Sequence, residues 1–262
     1  MIVYRCEDSP EGIFTAIYRA YEEKRNHSDT IISLTEEGYL FAEYVYVTPD
    51  SEKAAKVMRT LVRKFGEDDY RWICYALTAS DEGKAQAVYR TIADGLKREV
   101  HKGHLFDNLA NDAVNLAHAL ARGASRECMH LQGFVRFQEL DNGILFSKIS
   151  PKNNVLMFLM PHFTDRFPME NFMLYDENRR LLGLHPAGQQ WYVMRECENP
   201  EIAKRFVLSD QEMEYQELFR YFCKKIAIEE RKNPDLQRNM LPLRFREYMV
   251  EFAKTPKNSM YL

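Results

Sequence analysis

The stretch Pro161-His162-Phe163-Thr164-Asp165-Arg166-Phe167-Pro168 gathers an imidazole, a carboxylate and a guanidinium within five positions. His162 and Asp165, three apart, could serve as acid/base groups, and Arg166 could orient a phosphate or an extruded base. Read as one helix from Asn154, the segment sets His162 and Arg166 in the middle of an apolar face made by Val155, Phe158, Leu159 and Phe163. A cation there needs a partner, and Asp165 is one candidate. Pro161 should kink that helix or restart it. A restart would put His162 in a first turn, where backbone N–H groups favour anions. The bland alternative is a satisfied core histidine beside a structural Arg–carboxylate pair.

Other constellations bear on nucleic acid. Phe134-x-Arg136-x-Gln138 on one strand face would put an aromatic beside polar groups, as base-stacking platforms do. Asn111, Asn115, His118 and Arg122 form a stripe at helical spacing that could follow phosphates or be a solvated face. From Arg231 to the end there are seven Lys and Arg against three Asp and Glu, a net of +4. Gln237, Arg238, Arg244 and Arg246 lie in this basic stretch, where phosphate and base contacts are plausible chemistry.

Glu127-x-x-His130 has the spacing of di-iron carboxylate helices, and His162 and Asp165 repeat it in reverse. Carboxylate-bridged sites use more acids, and no third Glu is evident, so no metal or cofactor is expected. Gly-x-Ser-x-Gly, Walker A and Rossmann fingerprints are all missing from the sequence.

These residues need elements to hold them. Ile2–Cys6 reads as a strand, and Ser9-Pro10 as the start of a helix. Helices follow over roughly 51–64, 68–78, 81–98 and 107–129, with Asp50 and Asp81 as caps. The pattern changes near Gly133. Residues 133–138 and 143–149 read as strands joined by the Asp141-Asn142-Gly143 hairpin. With 172–175, 181–184 and 190–194 they predict an antiparallel sheet of about five strands with an inserted helix. A polar helix over 210–230 and a last helix from Pro242, with Phe245, Met249 and Phe252 at i, i+4, i+7, complete the chain. The expected class is α+β: a mainly helical region over 1–104, then 105–262 with the sheet and a basic helical tail.

Composition narrows the classes. The chain has 262 residues, 45% hydrophobic and 29% charged, the proportions of a folded protein. A net charge of −3 excludes a uniformly basic coat protein but not a local basic patch. Its five cysteines are widely spaced, with no Cys-x-x-Cys, which disfavours zinc-ribbon and iron–sulfur readings. No signal peptide or membrane span is evident, so a cytoplasmic protein is expected.

The ordered set Glu127-x-x-His130-x-x-Gly133-Phe134-Val135-Arg136-Phe137, Pro161-His162-Phe163-x-Asp165-Arg166-Phe167 and Tyr175-Asp176-x-x-Arg179 resembles an uncharacterised bacterial family described as probable DNA metabolism proteins. Tyr4–Thr15 and Gln237-Arg238-Asn239-Met240-Leu241-Pro242 extend that resemblance over nearly the whole chain. Relatives often carry a basic residue after His130, where this chain has Leu131-Gln132. The resemblance implies a gene neighbour of the radical-SAM class assigned to DNA modification or repair, and kinship with a domain fused to uracil-DNA-glycosylase-like domains. It leads to the expectation of a DNA-binding accessory partnered with a radical-SAM protein. Arg136, Arg166, Arg179, Arg238, Arg244 and Arg246 would then meet phosphates, with Gln237 beside them. Phe134 or Tyr175 would stack on a base, supported by Glu127, His130 and Asp176. The alternatives are a DNA-processing enzyme using His162 and Asp165, and a non-catalytic protein adaptor.

Overall fold

The computed structural model describes residues 1–36, 38–195 and 207–252; Cys197 lies outside them. The protein is α+β. It divides into two compact units, Met1–Arg126 and the chain from Glu127 onward.

In the first unit, β1 (Ile2–Cys6) is the centre of a three-stranded parallel sheet, between β2 (Thr30–Ser33) and β3 (Glu43–Val47). α1 (Pro10–Glu22) supplies the crossover that a parallel pair requires. Its start follows from local chemistry: the Ser9 hydroxyl accepts from Gly12 N at 3.0 Å, and Pro10 lacks the N–H that would go unbonded there. Strands β2 and β3, which the sequence pattern did not assign, lie in the stretch from Asp29 to Asp50, with five acids and no Lys or Arg. Four helices follow: α2 (Ser51–Phe65), α3 (Glu67–Thr78), α4 (Lys84–Lys97) and α5 (Asp112–Phe134), whose residues from Glu127 on belong to the second unit. Asp50 caps α2 by accepting from Glu52 N and Lys53 N. Asp81 binds Gly83 N, one turn ahead of α4, so that helix starts three residues later than the pattern suggested. Tyr4, Phe14, Phe65, Ile73, Tyr89 and Ile92 form the core, with Ala117 and Ala121 of α5.

The second unit is built on a five-stranded sheet in the order β4 (Gln138–Glu139), β5 (Leu145–Ile149), β6 (Phe172–Asp176), β7 (Leu181–His185), β8 (Tyr192–Arg195). Gly143 takes the φ of +77° that its hairpin position requires. Three pairings are antiparallel, but β5 and β6 run parallel. The wholly antiparallel expectation is corrected here: α6 (Leu156–Arg166) is a crossover between β5 and β6, and it returns the chain in the same direction. Pro161 neither restarts nor ends α6. The helix buries Leu156, Leu159, Met160 and Phe163. It lies so close to β7 that a Cβ at Gly183 would sit 2.3 Å from Met160 Sδ.

Two further expectations are corrected. Residues 133–137 are not strand: α5 runs on through Phe134, and β4 is only two residues long. The helix from Pro242 does not form either. After α7 (Asp210–Ile226) and α8 (Pro234–Met240) comes a single 3-10 turn, Leu243–Phe245. Phe245, Met249 and Val250 are buried, and Arg246 bonds back to the Leu241 carbonyl, so side-chain packing overrides the helical spacing. No helix among the described residues is long and apolar enough to cross a membrane.

Candidate functional site

The C-terminal end of α5, the end of β5 and the turn around Phe245 enclose a narrow cleft lined by Phe134, Arg136, Lys148, Arg244, Phe245 and Tyr248. Its apolar wall follows from helix geometry. His130 and Phe134 are one turn apart on α5, so their rings stack, with centroids 5.6 Å apart. Phe245 closes on both at 5.5 Å. His130 Nδ1 is enclosed by these rings and has no hydrogen-bond partner among the described residues.

Three cations rim the cleft. Arg136 donates to the Gly133 and Val135 carbonyls at the end of α5, where helix C-termini carry unbonded acceptors, and to Glu251 Oε1 at 3.0 Å. Lys148 pairs with Glu177 at 2.7 Å and stands over the Tyr248 ring at 5.6 Å. Arg244 covers the Phe245 ring at 4.6 Å and is 3.7 Å from Glu127. Its side chain is 55% exposed, the most open of the three.

Behind the rim, the loop Ser150–Asn154 is clamped from two sides. Glu127 is buried, and its carboxylate accepts from Lys152 N, Asn153 N and Asn153 Nδ2 at 2.7 to 3.0 Å. On the other side Arg179 Nη1 binds Asp176 at 3.1 Å and the Pro151 carbonyl at 3.0 Å, and Nη2 binds the Lys152 carbonyl. Burial pushes the Asp176 carboxyl above the usual range, and Arg179 opposes that rise. Lys148 and the Tyr248 hydroxyl hold Glu177 below the usual range, whereas burial raises Tyr248.

The cleft thus brings together Phe134, Arg136 and Arg244, with Glu127, His130, Asp176 and Arg179 as their support. Arg179, expected on a phosphate, spends three donor contacts inside the protein. His162, Asp165 and Arg166 are on α6, outside the cleft lining. His162 and Arg166 do not lie within the apolar face as expected: His162 is half-buried against Phe163, and Arg166, like Asp165, is exposed. No ion pair between described residues joins Asp165 to either neighbour. Arg166 lies over the Phe167 ring instead. Gln237 and Arg238 are on α8, where Arg238 pairs with Asp235. Arg246 bonds the Leu241 carbonyl and covers Phe252. Tyr175 shares a sheet face with Lys148 by register and is half-buried.

Two constellations come apart. Among the described residues, no three His, Cys, Asp or Glu side chains group as metal ligands, and the oxygens of Glu127 already hold backbone donors. In the helical stripe, His118 packs on Trp72 with centroids 5.3 Å apart and Asn111 accepts from Ala113 N, leaving Asn115 and Arg122 on the surface.

Sequence reasoning missed Lys148, Phe245 and Tyr248. Alternation along the return strand marks Lys148 as outward-facing, but no local pattern announces that Tyr248 reaches Glu177, 71 positions away. Also missed was an open hollow of about 950 Å³ in the first unit, beside His27 and Arg90. There Arg90 is tied to the carbonyls of His27, Ser28 and Thr30, and burial lowers His27.

No curated protein matches the chain. Residues 82–251, well over half of its length, match the model of a domain of unknown function, DUF4130. They take in α4, α5 and every element of the cleft, and the chain belongs to the DUF4130 family.

Proposed function

We propose that this protein is a DNA-binding accessory of a repair or base-modification system, with a radical-SAM protein as its enzymatic partner. The observation that carries the DNA reading is the rim: Arg244 over Phe245, beside Phe134, Lys148 and Tyr248. Cations interleaved with aromatic faces suit a phosphate backbone and an unstacked base together. The free volume of the cleft is about 20 Å³, room for a water. Pockets that enclose an organic ligand are roughly 300–1,000 Å³. Contact at the rim is therefore favoured over an extruded base held within, and with it the accessory role over base chemistry in this cleft. The radical-SAM partner rests on the family resemblance and on cysteine spacing that leaves iron–sulfur ligation to another chain.

The test is fluorescence anisotropy with single-stranded, duplex and lesion-bearing oligonucleotides. Arg244→Ala should weaken binding by about tenfold, the loss of one charge-assisted contact. Unchanged affinity in that variant, or no binding to any of the three DNAs, would overturn the reading.

A further inference from the structure

The helix α7 is amphipathic but turned inside out. Its start is well specified: the Ser209 hydroxyl accepts from Glu212 N, acids fill the first turn, and Lys224 and Lys225 occupy the last, matching the helix dipole. It is anchored at that start, where Ser209 N donates to the Glu139 carbonyl and Glu139 N to Glu212 Oε2. The face that turns inward is polar: Gln216 is buried and bonded to Glu212, and Arg220 donates to the Gln216 carbonyl. The outward face carries Tyr215, Leu218, Phe219, Phe222 and Ile226 at i, i+3, i+4, i+7 and i+11. Leu218 is 60% exposed and Ile226 58%. Such a continuous apolar stripe on a surface helix marks an interaction face.

The charges beside the stripe say what covers it. Glu214 and Lys225 lie on the same edge, eleven positions apart and so within about 20° around the axis. Lys225 lies over the Tyr221 ring at 5.3 Å, and neither charge is in an ion pair with a described residue. The acids of α7 come first and the bases last. Two copies laid parallel about a two-fold axis would put Glu214 and Lys225 of one copy on the opposite side of the pair from those of the other, so neither charge would meet its complement. Laid antiparallel about a two-fold axis near Arg220, they bring Leu218 to Phe222, Tyr215 to Ile226, and Glu214 to Lys225 twice. Edge charges of this kind set partner and orientation in helix pairs, and a two-fold contact uses the same patch on both copies. We infer that α7 is a self-association element, pairing antiparallel with α7 of a second copy of this chain.

Sedimentation velocity on the full chain tests this. The wild type should run at twice the 31.0 kDa chain mass at micromolar concentration. L218E/F222E should run as a monomer with an unchanged far-UV circular dichroism spectrum. E214K and K225E should each weaken the dimer at least tenfold, and E214K/K225E should restore it, because the swapped charges again oppose. A monomeric wild type up to about 100 μM, far above the micromolar range of specific association, would overturn the proposal. So would a dimer indifferent to L218E/F222E, or charge reversals whose losses add instead of compensating.

Discussion

Glu127 shows how spacing along a helix can suggest the wrong partner for a carboxylate. Its spacing to His130 suggested side-chain chemistry on one helix face, yet its oxygens hold Lys152 N and Asn153 N, 25 and 26 positions on. No local pattern encodes that distance, because backbone donors are the same in every residue. Truncating Glu127 to Ala should leave those donors without a partner and cost about 3 kcal/mol of stability, read from the urea midpoint. Glu177 gives the acid response. Lys148 and Tyr248 lower its carboxyl in the folded state. Its contribution is therefore complete above the ordinary glutamate value of about 4.3 and is lost as pH falls through the lower folded value. Glu177→Gln should lower the Tm at neutral pH and flatten its fall below about pH 4.3. A parallel downward shift at every pH would show that the pair carries no such linkage.

Elements were legible where one face repeats and obscure where tertiary packing decides. Helices α1 to α4 follow from apolar spacing and caps such as Ser9 and Asp50, and the hairpin from Asn142-Gly143. The end of α5 was not legible, since Phe134-Val135-Arg136-Phe137 alternates like a strand while Phe134 is held helical by its stack on His130. The direction of β5 against β6 depended on reading α6 as a crossover through Pro161, which local rules treat as a break. The contact of α6 with β7 offers a check. At Gly183→Ala the new Cβ would overlap Met160 Sδ, a buried neighbour, so a loss of about 1–3 kcal/mol is expected. Met160→Ala in the same chain should recover part of it, and strictly additive losses would show that the two residues do not press on each other.

For the whole molecule, the charge reading changes most. The basic tail raised the prospect of many phosphate contacts, but Arg238 pairs with Asp235, Arg136 with Glu251 and Arg246 with a carbonyl. At the rim Arg136 and Lys148 are already ion-paired and Arg244 is the most exposed of the three, so DNA binding there should rest on a small number of contacts. The slope of log K against log salt is the measurement that bears on this most directly. Duplex affinity should fall with a slope of about −2 to −4, two to four phosphate contacts. Arg244→Ala should reduce that steepness by about one. A flat salt response, or a slope that Arg244→Ala leaves untouched, would contradict an electrostatic DNA contact at this rim.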